Sequence, residues 1–361
     1  MSSLNSVIKA RIMENRRRSL LIVALLSPPA LAQIPLSDEL SLSGFGTFSA
    51  AKSDNNTPVF FGRDITDDWC FDCDSTLGLQ LDWRMSPELR SVLQVLKRPQ
   101  DTFSSPTLER AFLEYSVSDH RIKAGRLRSP MFIMSEYYYV SSAYPWLRLP
   151  VDVYGGNLGI THFEGASAEL NYELLGQFQL SLTPFYALAD EEQYELYGRP
   201  FTLDIKNYYG LSADIYLEDS QLHLSYTDVE ARQIYTGQPD VCFNLHLFSL
   251  GLSHTIDDWH FQAETLLSND LHANWYAGVD YRVANWTPYI QYGQTRKTKT
   301  SDSYLLGIRY DFTPQFNAVM EWQRIEGQKN VISGQFTLPQ DPSETFASKV
   351  DLVSVGLSFT F

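Results

Sequence analysis

The final eleven residues of the chain, 351–361, read DLVSVGLSFTF. Val353, Val355, Leu357, Phe359 and Phe361 fall on one parity; Leu352, Ser354, Gly356, Ser358 and Thr360 fall on the other. Side chains alternate faces along a strand, so this is a strand with one continuously apolar face and one mostly small or polar face. The pattern recurs upstream. Leu77, Leu79, Leu81 and Trp83 alternate with Gly78, Gln80, Asp82 and Arg84, and Tyr209, Leu211, Ala213 and Ile215 with Gly210, Ser212, Asp214 and Tyr216. Near the C-terminus Tyr304, Leu306, Ile308 and Tyr310 alternate with Ser303, Gly307, Arg309 and Asp311. Segments of about ten residues with two such faces have the length that a tilted strand needs to cross a bilayer.

Connection lengths alternate as regularly as the side chains. Short turns fall at 85–88, 117–119, 218–219, 256–258, 283–285 and 313–315, and long polar connections at 53–75, 98–107, 128–157, 190–206, 233–243 and 326–348. With Leu40 opening the first strand and Lys349 the last, the chain divides into sixteen strands, the sixth beginning at Ile160 with Gly165 inside it. Splitting that strand at Gly165 would give seventeen. The fold class expected is therefore all-β, a 16-stranded antiparallel transmembrane β-barrel with short turns on one side, long loops on the other and an inward-folded third loop. Every backbone group in lipid needs an internal partner, and closure supplies it.

The N-terminus fits export. A basic stretch (Arg16, Arg17, Arg18) precedes a short apolar core at 19–26, then Ala30-Leu31-Ala32. That order reads as a signal peptide over residues 1–32, with Met13 as the true start and Gln33 as the first mature residue. Residues 33–361 then form a single β-barrel domain, too short for sixteen strands and a second domain or plug. The leader holds five bases and one acid, so the remainder carries a formal net charge of −19 against −15 for the whole chain. Such acidity argues against nucleic acid as a partner. No apolar run in the mature part approaches a spanning helix, yet 14% of the chain is aromatic, as expected where lipid-facing residues appear only on alternate positions. Cys70 and Cys73 suit a small disulfide stapling a loop in an oxidising compartment, and Cys242 stands alone.

The inward parity is rich in charge, acids outnumbering bases. Arg84, Glu114, Arg121, Lys123, Asp280, Arg282 and Glu321 are lumen candidates, with Asp82, Glu169, Glu173, Asp214, Glu264, Arg309 and Asp311 on the same parity. In a soluble sandwich these would form a wet outer face. Sixteen long strands with Trp and Tyr gathered at their ends instead match interfacial aromatic girdles, and sixteen strands enclose water.

Residues 128–157 stand apart. Ser129-Pro130 reads as a helix start, and 131–139 (MFIMSEYYY) as two helical turns. The aromatic content of this segment suits packing on a barrel's inner wall rather than a loop in water. At Lys123-Ala124-Gly125-Arg126-Leu127-Arg128, Ala143-Tyr144-Pro145-Trp146, Val151-Asp152-Val153-Tyr154-Gly155, Phe163-Glu164-Gly165-Ala166 and the terminal Phe361, the sequence resembles Gram-negative outer-membrane porins. Their third loop folds inward and narrows the channel. The resemblance spans the mature chain as architecture. It implies passive diffusion of ions and small hydrophilic solutes, a homotrimer in outer-membrane lipid, and recognition of Phe361 by the barrel-assembly machinery as an assembly signal. The chain departs from the best-known porins in lacking a glycine-rich acidic turn at the tip of the third loop. By position, Arg126, Arg128, Glu136, Arg148 and Asp152 are the pore-constriction candidates, each read either as a channel charge or as a salt bridge pinning the loop to the wall.

The seven histidines lack metal-ligand spacing, no Gly-rich phosphate loop opens a helix, and no cofactor is expected. Two other functions compete with the channel. One is a barrel with a blocked lumen, acting in ligand binding or structure. The other is an outer-membrane hydrolase, for which His223 beside Ser225, or His246, His254 and His260, are the nominees. Acidity and the inward charges favour a channel with a mild cation preference.

Overall fold

A computed structural model of the chain describes residues 33–99, 105–155, 160–196, 199–235, 237, 239–298, 300–328, 334–337 and 347–361; the expected leader over residues 1–32 lies outside them. Sixteen strands build the wall among the described residues. These are β1 Leu40–Ser53, β2 Thr76–Arg84, β3 Leu89–Lys97, β4 Thr107–Val117, β5 His120–Arg128, β6 His162–Leu174, β7 Phe178–Ala187 and β8 Arg199–Leu217. There follow β9 Ser220–Tyr235, β10 Val241–Ile256, β11 Trp259–Ser268, β12 Ala273–Tyr281, β13 Trp286–Thr295, β14 Ser301–Thr313, β15 Phe316–Gly327 and β16 Lys349–Thr360. Each pairs antiparallel with the next, and β16 returns to β1 in a register running from Leu352 opposite Ser53 to Thr360 opposite Phe45. The sheet is therefore a closed barrel. Beside Phe361 the seam ends in two backbone hydrogen bonds exchanged with Gly44, at 2.8 and 2.9 Å.

Chain reversal at the short-turn side uses left-handed backbone. Ser118, Leu175, Glu218, Asp257 and Ala284 all have φ between 45° and 55°, and Gly176 has φ 70°. Tight hairpins whose twist matches the flanking strands need positive φ, which falls here on polar or small turn residues and on the exposed Leu175.

The wall is uneven in height. β2, β3 and β5 have nine residues each, whereas β8, β9 and β10 have 19, 16 and 16. The expected long loop at 190–206 is instead part of this tall wall: Asp190–Leu196 pairs with Arg199–Ile205 as an outer hairpin. Residues 201–205 also pair with β9, from Phe201 opposite Tyr235 to Ile205 opposite Ala231, so the ladder persists above the membrane band. β6 runs unbroken through Gly165, which lies opposite Gly125 on one side and Ala187 on the other. A Cβ at Gly165 would sit 2.1 Å from the Tyr186 carbonyl, so glycine allows close strand approach there rather than ending the strand.

The two parities separate cleanly. Leu77, Leu79, Leu306, Ile308, Val355 and Leu357 are exposed on the outer face, whereas Ser354 and Ser358 are buried on the inner one. Stacked or tilted aromatic pairs sit near the short-turn ends, such as Trp259 with Tyr281 and Trp286 with Tyr310, as an interfacial girdle requires. Cys70 and Cys73 form a disulfide in the first long loop, which packs with Val59, Phe60, Ile65 and Phe336 over the inner ends of β15 and β16.

Candidate pore constriction

The third loop, between β5 and β6, lies inside the barrel. The two-turn helix expected over 131–139 does not form. The backbone makes a 3-10 turn at Ser135–Tyr137, another at Ser141–Ala143 and one helical turn at Val151–Tyr154. The Ser135 hydroxyl accepts from the amides of Met131 and Phe132, at 3.1 and 2.8 Å, where a helix would use backbone carbonyls. Consecutive aromatics also face different neighbours: Tyr139 packs with Phe45 and Leu96, while Tyr138 lies against Tyr154.

Buried side chains from many strands hold the loop. The Met131 carbonyl accepts from Ser225 on β9, at 2.9 Å, and from His223 Nε2, at 3.1 Å, and Ser249 on β10 also donates to it. Glu264 on β11 accepts from the Ile133 amide at 2.9 Å and the Tyr154 hydroxyl at 2.6 Å. Glu321 on β15 accepts from the Leu147 amide and from Tyr289, both at 2.8 Å. Wall glycines make the seats. A Cβ at Gly356 would lie 2.2 Å from Leu147, and one at Gly293 2.3 Å from the Asp152 carboxylate. Glu321, expected in the lumen, is thus covered by the loop.

Of the five constriction candidates, three are built into this contact. Arg148 is buried, donating to Asp74 of the first loop at 2.7 Å, to Gln323 at 3.1 Å and to Ser354 at 2.5 Å. Burial works against its charge, but Asp74 and Glu321 hold its pKa above the ordinary arginine value. Arg128 is buried under the Tyr139 ring and paired with Glu109 at 2.6 Å. Asp152 is buried against β14 and the last long loop, accepting from Ser303 at 2.7 Å and Gln335 at 2.6 Å. Those donors are neutral, and burial pushes its carboxyl up to about 6.

Glu136 is different. Its side chain is 48% exposed, and it meets Arg110 on β4 across the inner surface. Partial burial pushes its carboxyl up, but Arg110, Lys123 and Arg128 outweigh that and hold it down at about 2. Around it the inner wall of β2 to β6 carries linked charges: Arg90 with Asp82 and Glu114, and Lys123 and Arg121 with Glu169. Glu114, Arg121 and Lys123 are thus placed on one strip, while Arg84 and Arg282 are exposed near the short-turn mouth, where half-buried His260 lies beside Asp280.

Arg126 does not face the lumen. It lies opposite Ala111 and Glu164, on the parity of Leu113 and Ala124, and pairs with Glu164 across the outer face. Arg126 and Arg128 share a parity, so alternation alone groups them; they part because Arg128, the last residue of β5, turns inward to Glu109. Among the inner-wall charges missed are Arg90 and, at an irregular place in the sheet, Glu109 and Arg110. A bulge at Gln94/Val95 puts the last two beside Gln94, breaking the strict alternation.

The other nominated histidines are tied up structurally. His223 bridges Asp214 and the Met131 carbonyl; His246 pairs with Asp228 beside Tyr226; His254 bonds Ser220 at the short-turn end.

Neither a protein-family model nor a curated protein matches this sequence. Solved structures do. An OmpF from Salmonella typhi, in complex with daunomycin, aligns with a TM-score of 0.62 at 11% identity, covering 91% of this chain and 100% of that one. An anion-selective porin from Comamonas acidovorans gives 0.62 at 13% identity, covering 89% and 99%. OmpT of Vibrio cholerae, an outer-membrane protein, gives 0.58 at 13% identity, covering 91% and 100%. At such identities the likeness establishes the fold, a closed sixteen-strand outer-membrane barrel of the porin type.

Proposed function

We propose that the chain is a porin of the cell outer membrane, a water-filled channel for passive diffusion of ions and small hydrophilic solutes. The observation that carries this reading is the half-exposed Glu136 facing the charged strip of Arg110, Lys123, Arg121 and Glu169, a hydrated path beside the loop rather than a sealed core. Passive diffusion needs no catalytic step and no cofactor. Export through a leader over residues 1–32, with Gln33 as the mature start, belongs to the same proposal, as does assembly through the terminal Phe361.

Acids and bases are interlocked along the strip, so selectivity is weak, with a mild preference for cations from the overall acidity. A homotrimer is the assembly proposed. The low wall offers the docking side: Ala111 and Ala124, with Leu81, Trp83, Leu93 and Leu113, line an outer groove of about 430 Å³ that a neighbouring copy can fill.

Planar-bilayer recording tests the channel. The purified protein should give stable, ohmic steps, with a small cation-directed reversal potential in a salt gradient, and excising the third-loop segment should raise the conductance. A second reading, a blocked barrel used for binding or structure, is favoured by the loop's bonds to β9, β10, β11, β14, β15 and β16. A silent bilayer with both the intact and the loop-deleted protein would establish that reading and overturn the channel.

A further inference from the structure

His260 has no part in holding the third loop or in the charged strip. It sits second in β11, at the short-turn mouth, between two inward neighbours that sequence distance conceals. Its Nδ1 lies 2.7 Å from Asp280 Oδ2 on β12, and its Nε2 lies 2.9 Å from Ser253 Oγ on β10. Asp280 stands directly across the ladder from His260. Ser253 is one inward position along β10 from Thr255, which pairs with His260 on the other side. Ladder hydrogen bonds fix all three backbones, so the constellation is pre-organised.

The bonding order sets the tautomer. An ionised carboxylate only accepts, so in the neutral ring Nδ1 carries the hydrogen and donates to Asp280. Nε2 then holds the lone pair and accepts from the Ser253 hydroxyl. Nucleophile, base and orienting carboxylate are in the sequence by which a hydroxyl is activated. His223 shows the contrast: its Nε2 faces the Met131 carbonyl and must donate, so it cannot take a proton from a serine. The His260 side chain is 24% exposed and Ser253 is half-buried, so small molecules in the mouth reach them.

The geometry points to Ser253 as a nucleophilic serine, with His260 as its base and Asp280 as the positioning residue, acting on small activated esters that enter the barrel from its short-turn end. Ser253 Oγ bonds to the acyl carbon as its proton passes to His260 Nε2, and the carbonyl π pair moves onto the carbonyl oxygen. That pair returns as the bond to the leaving alkoxide or phenolate breaks, and the leaving oxygen takes the proton from Nε2. Water then attacks the acyl-serine, giving a proton to Nε2, which returns it to Ser253 Oγ as that oxygen leaves. The balance is ester plus water to carboxylic acid plus alcohol or phenol. Strand amides at this level are committed to the ladder, so solvent in the mouth stabilises the oxyanion. That restricts the site to electrophiles with good leaving groups, such as aryl esters and fluorophosphonates.

The test is covalent labelling of the folded, detergent-solubilised full-length protein with a fluorophosphonate probe, mapped by peptide mass spectrometry. The expected result is an adduct on Ser253, absent from heat-unfolded protein, formed at least tenfold more slowly in His260→Gln and several-fold more slowly in Asp280→Asn. Ser253→Ala should abolish both that adduct and p-nitrophenyl acetate hydrolysis while leaving bilayer conductance unchanged, which separates this site from the channel reading. No adduct on Ser253 of the folded wild type overturns the proposal, and so does labelling undiminished by His260→Gln or equal in unfolded protein. Mapping on the wild type decides the matter even where a variant fails to assemble.

Discussion

Protonation of Asp152 should tighten the third loop against the wall, and Asp152→Asn should remove that response. The carboxylate is buried between Ser303 and Gln335, both neutral donors. Burial pushes it up to about 6 from 3.8, the Ser303 and Gln335 hydrogen bonds pull the other way, and Asp302 nearby adds to the rise. An acid whose pKa is raised in the docked state binds its proton more tightly there. The stabilisation is complete below the ordinary value of 3.8 and is lost as pH rises through about 6. A shift of about two units corresponds to about 3 kcal/mol at one pKa unit per 1.36 kcal/mol, of which about 2 kcal/mol falls between pH 4.5 and 7.5. In Asp152→Asn the carboxamide oxygen accepts from Gln335 and its nitrogen donates to Ser303, so docking loses its charge but not its bonds.

The assay is urea unfolding in detergent micelles at pH 4.5 and 7.5, with the folded fraction read from the electrophoretic mobility of unheated protein. Other titrating groups contribute equally to wild type and variant, so the informative quantity is the difference between their two pH responses. Wild type should lose about 2 kcal/mol more than Asp152→Asn on going from pH 4.5 to 7.5, and single-channel noise at neutral pH should fall in the variant. Parallel pH responses would refute the reasoning, because they would mean that the Asp152 carboxylate is hydrated or neutralised where it sits.

Leu306→Arg should cost about 2–4 kcal/mol if Leu306 lies near the bilayer midplane, for its side chain is 53% exposed on the outer face; Asp280→Ala should cost about 1 kcal/mol, because half-exposed His260 can rehydrate, and equal urea midpoints for the two would refute the assigned faces. Deleting Phe361 removes two hydrogen bonds to Gly44 and the ring that covers that glycine, so the yield of heat-modifiable barrel should fall at unchanged synthesis. Arg148→Ala leaves Glu321 buried without its cation and Asp74 with Arg63 in place of two arginines; breaking such a pair costs about 3–5 kcal/mol, which should appear as a lower urea midpoint and larger, noisier current steps. N-terminal sequencing of outer-membrane material should begin at Gln33, and a retained leader would refute export as drawn.

Strand number, most start points and most facings were legible because membrane strands obey a strict period of two and their turns are short; β8, expected to open after a loop at 190–206, begins at Arg199 instead. What the sequence concealed is what breaks that period. At β4 one extra residue turns both Glu109 and Arg110 inward, and no local signal marks it. At β5 the reverse happened: Arg126 looked like a neighbour of Arg128, but obeys the alternation and points out. The ribbon at 190–196 was misread because a polar composition suggested a loop, whereas strands above the membrane band no longer need an apolar face. The loop's apolar content correctly placed it inside the barrel, but not its fold, since the Ser135 hydroxyl takes up the Met131 and Phe132 amides and the backbone makes 3-10 turns in place of a helix.

Cover is the deeper difficulty. Strand parity puts Glu264 and Glu321 within the barrel, as the third loop's position does Glu136, yet the first two are hydrogen-bonded beneath that loop while Glu136 is half-exposed. Whether an inward charge lines a channel or anchors a plug depends on side chains far away in sequence, such as Leu147 against Gly356 or Asp152 against Gly293. Those glycines are the trace the sequence does carry: inward positions kept empty so that the loop can approach the wall. A residue with a Cβ at Gly356 or Gly293 would push Leu147 or Asp152 towards the lumen axis. The two small positions therefore set how much of the lumen the loop leaves open, and the acids on the strands set how firmly it is held there.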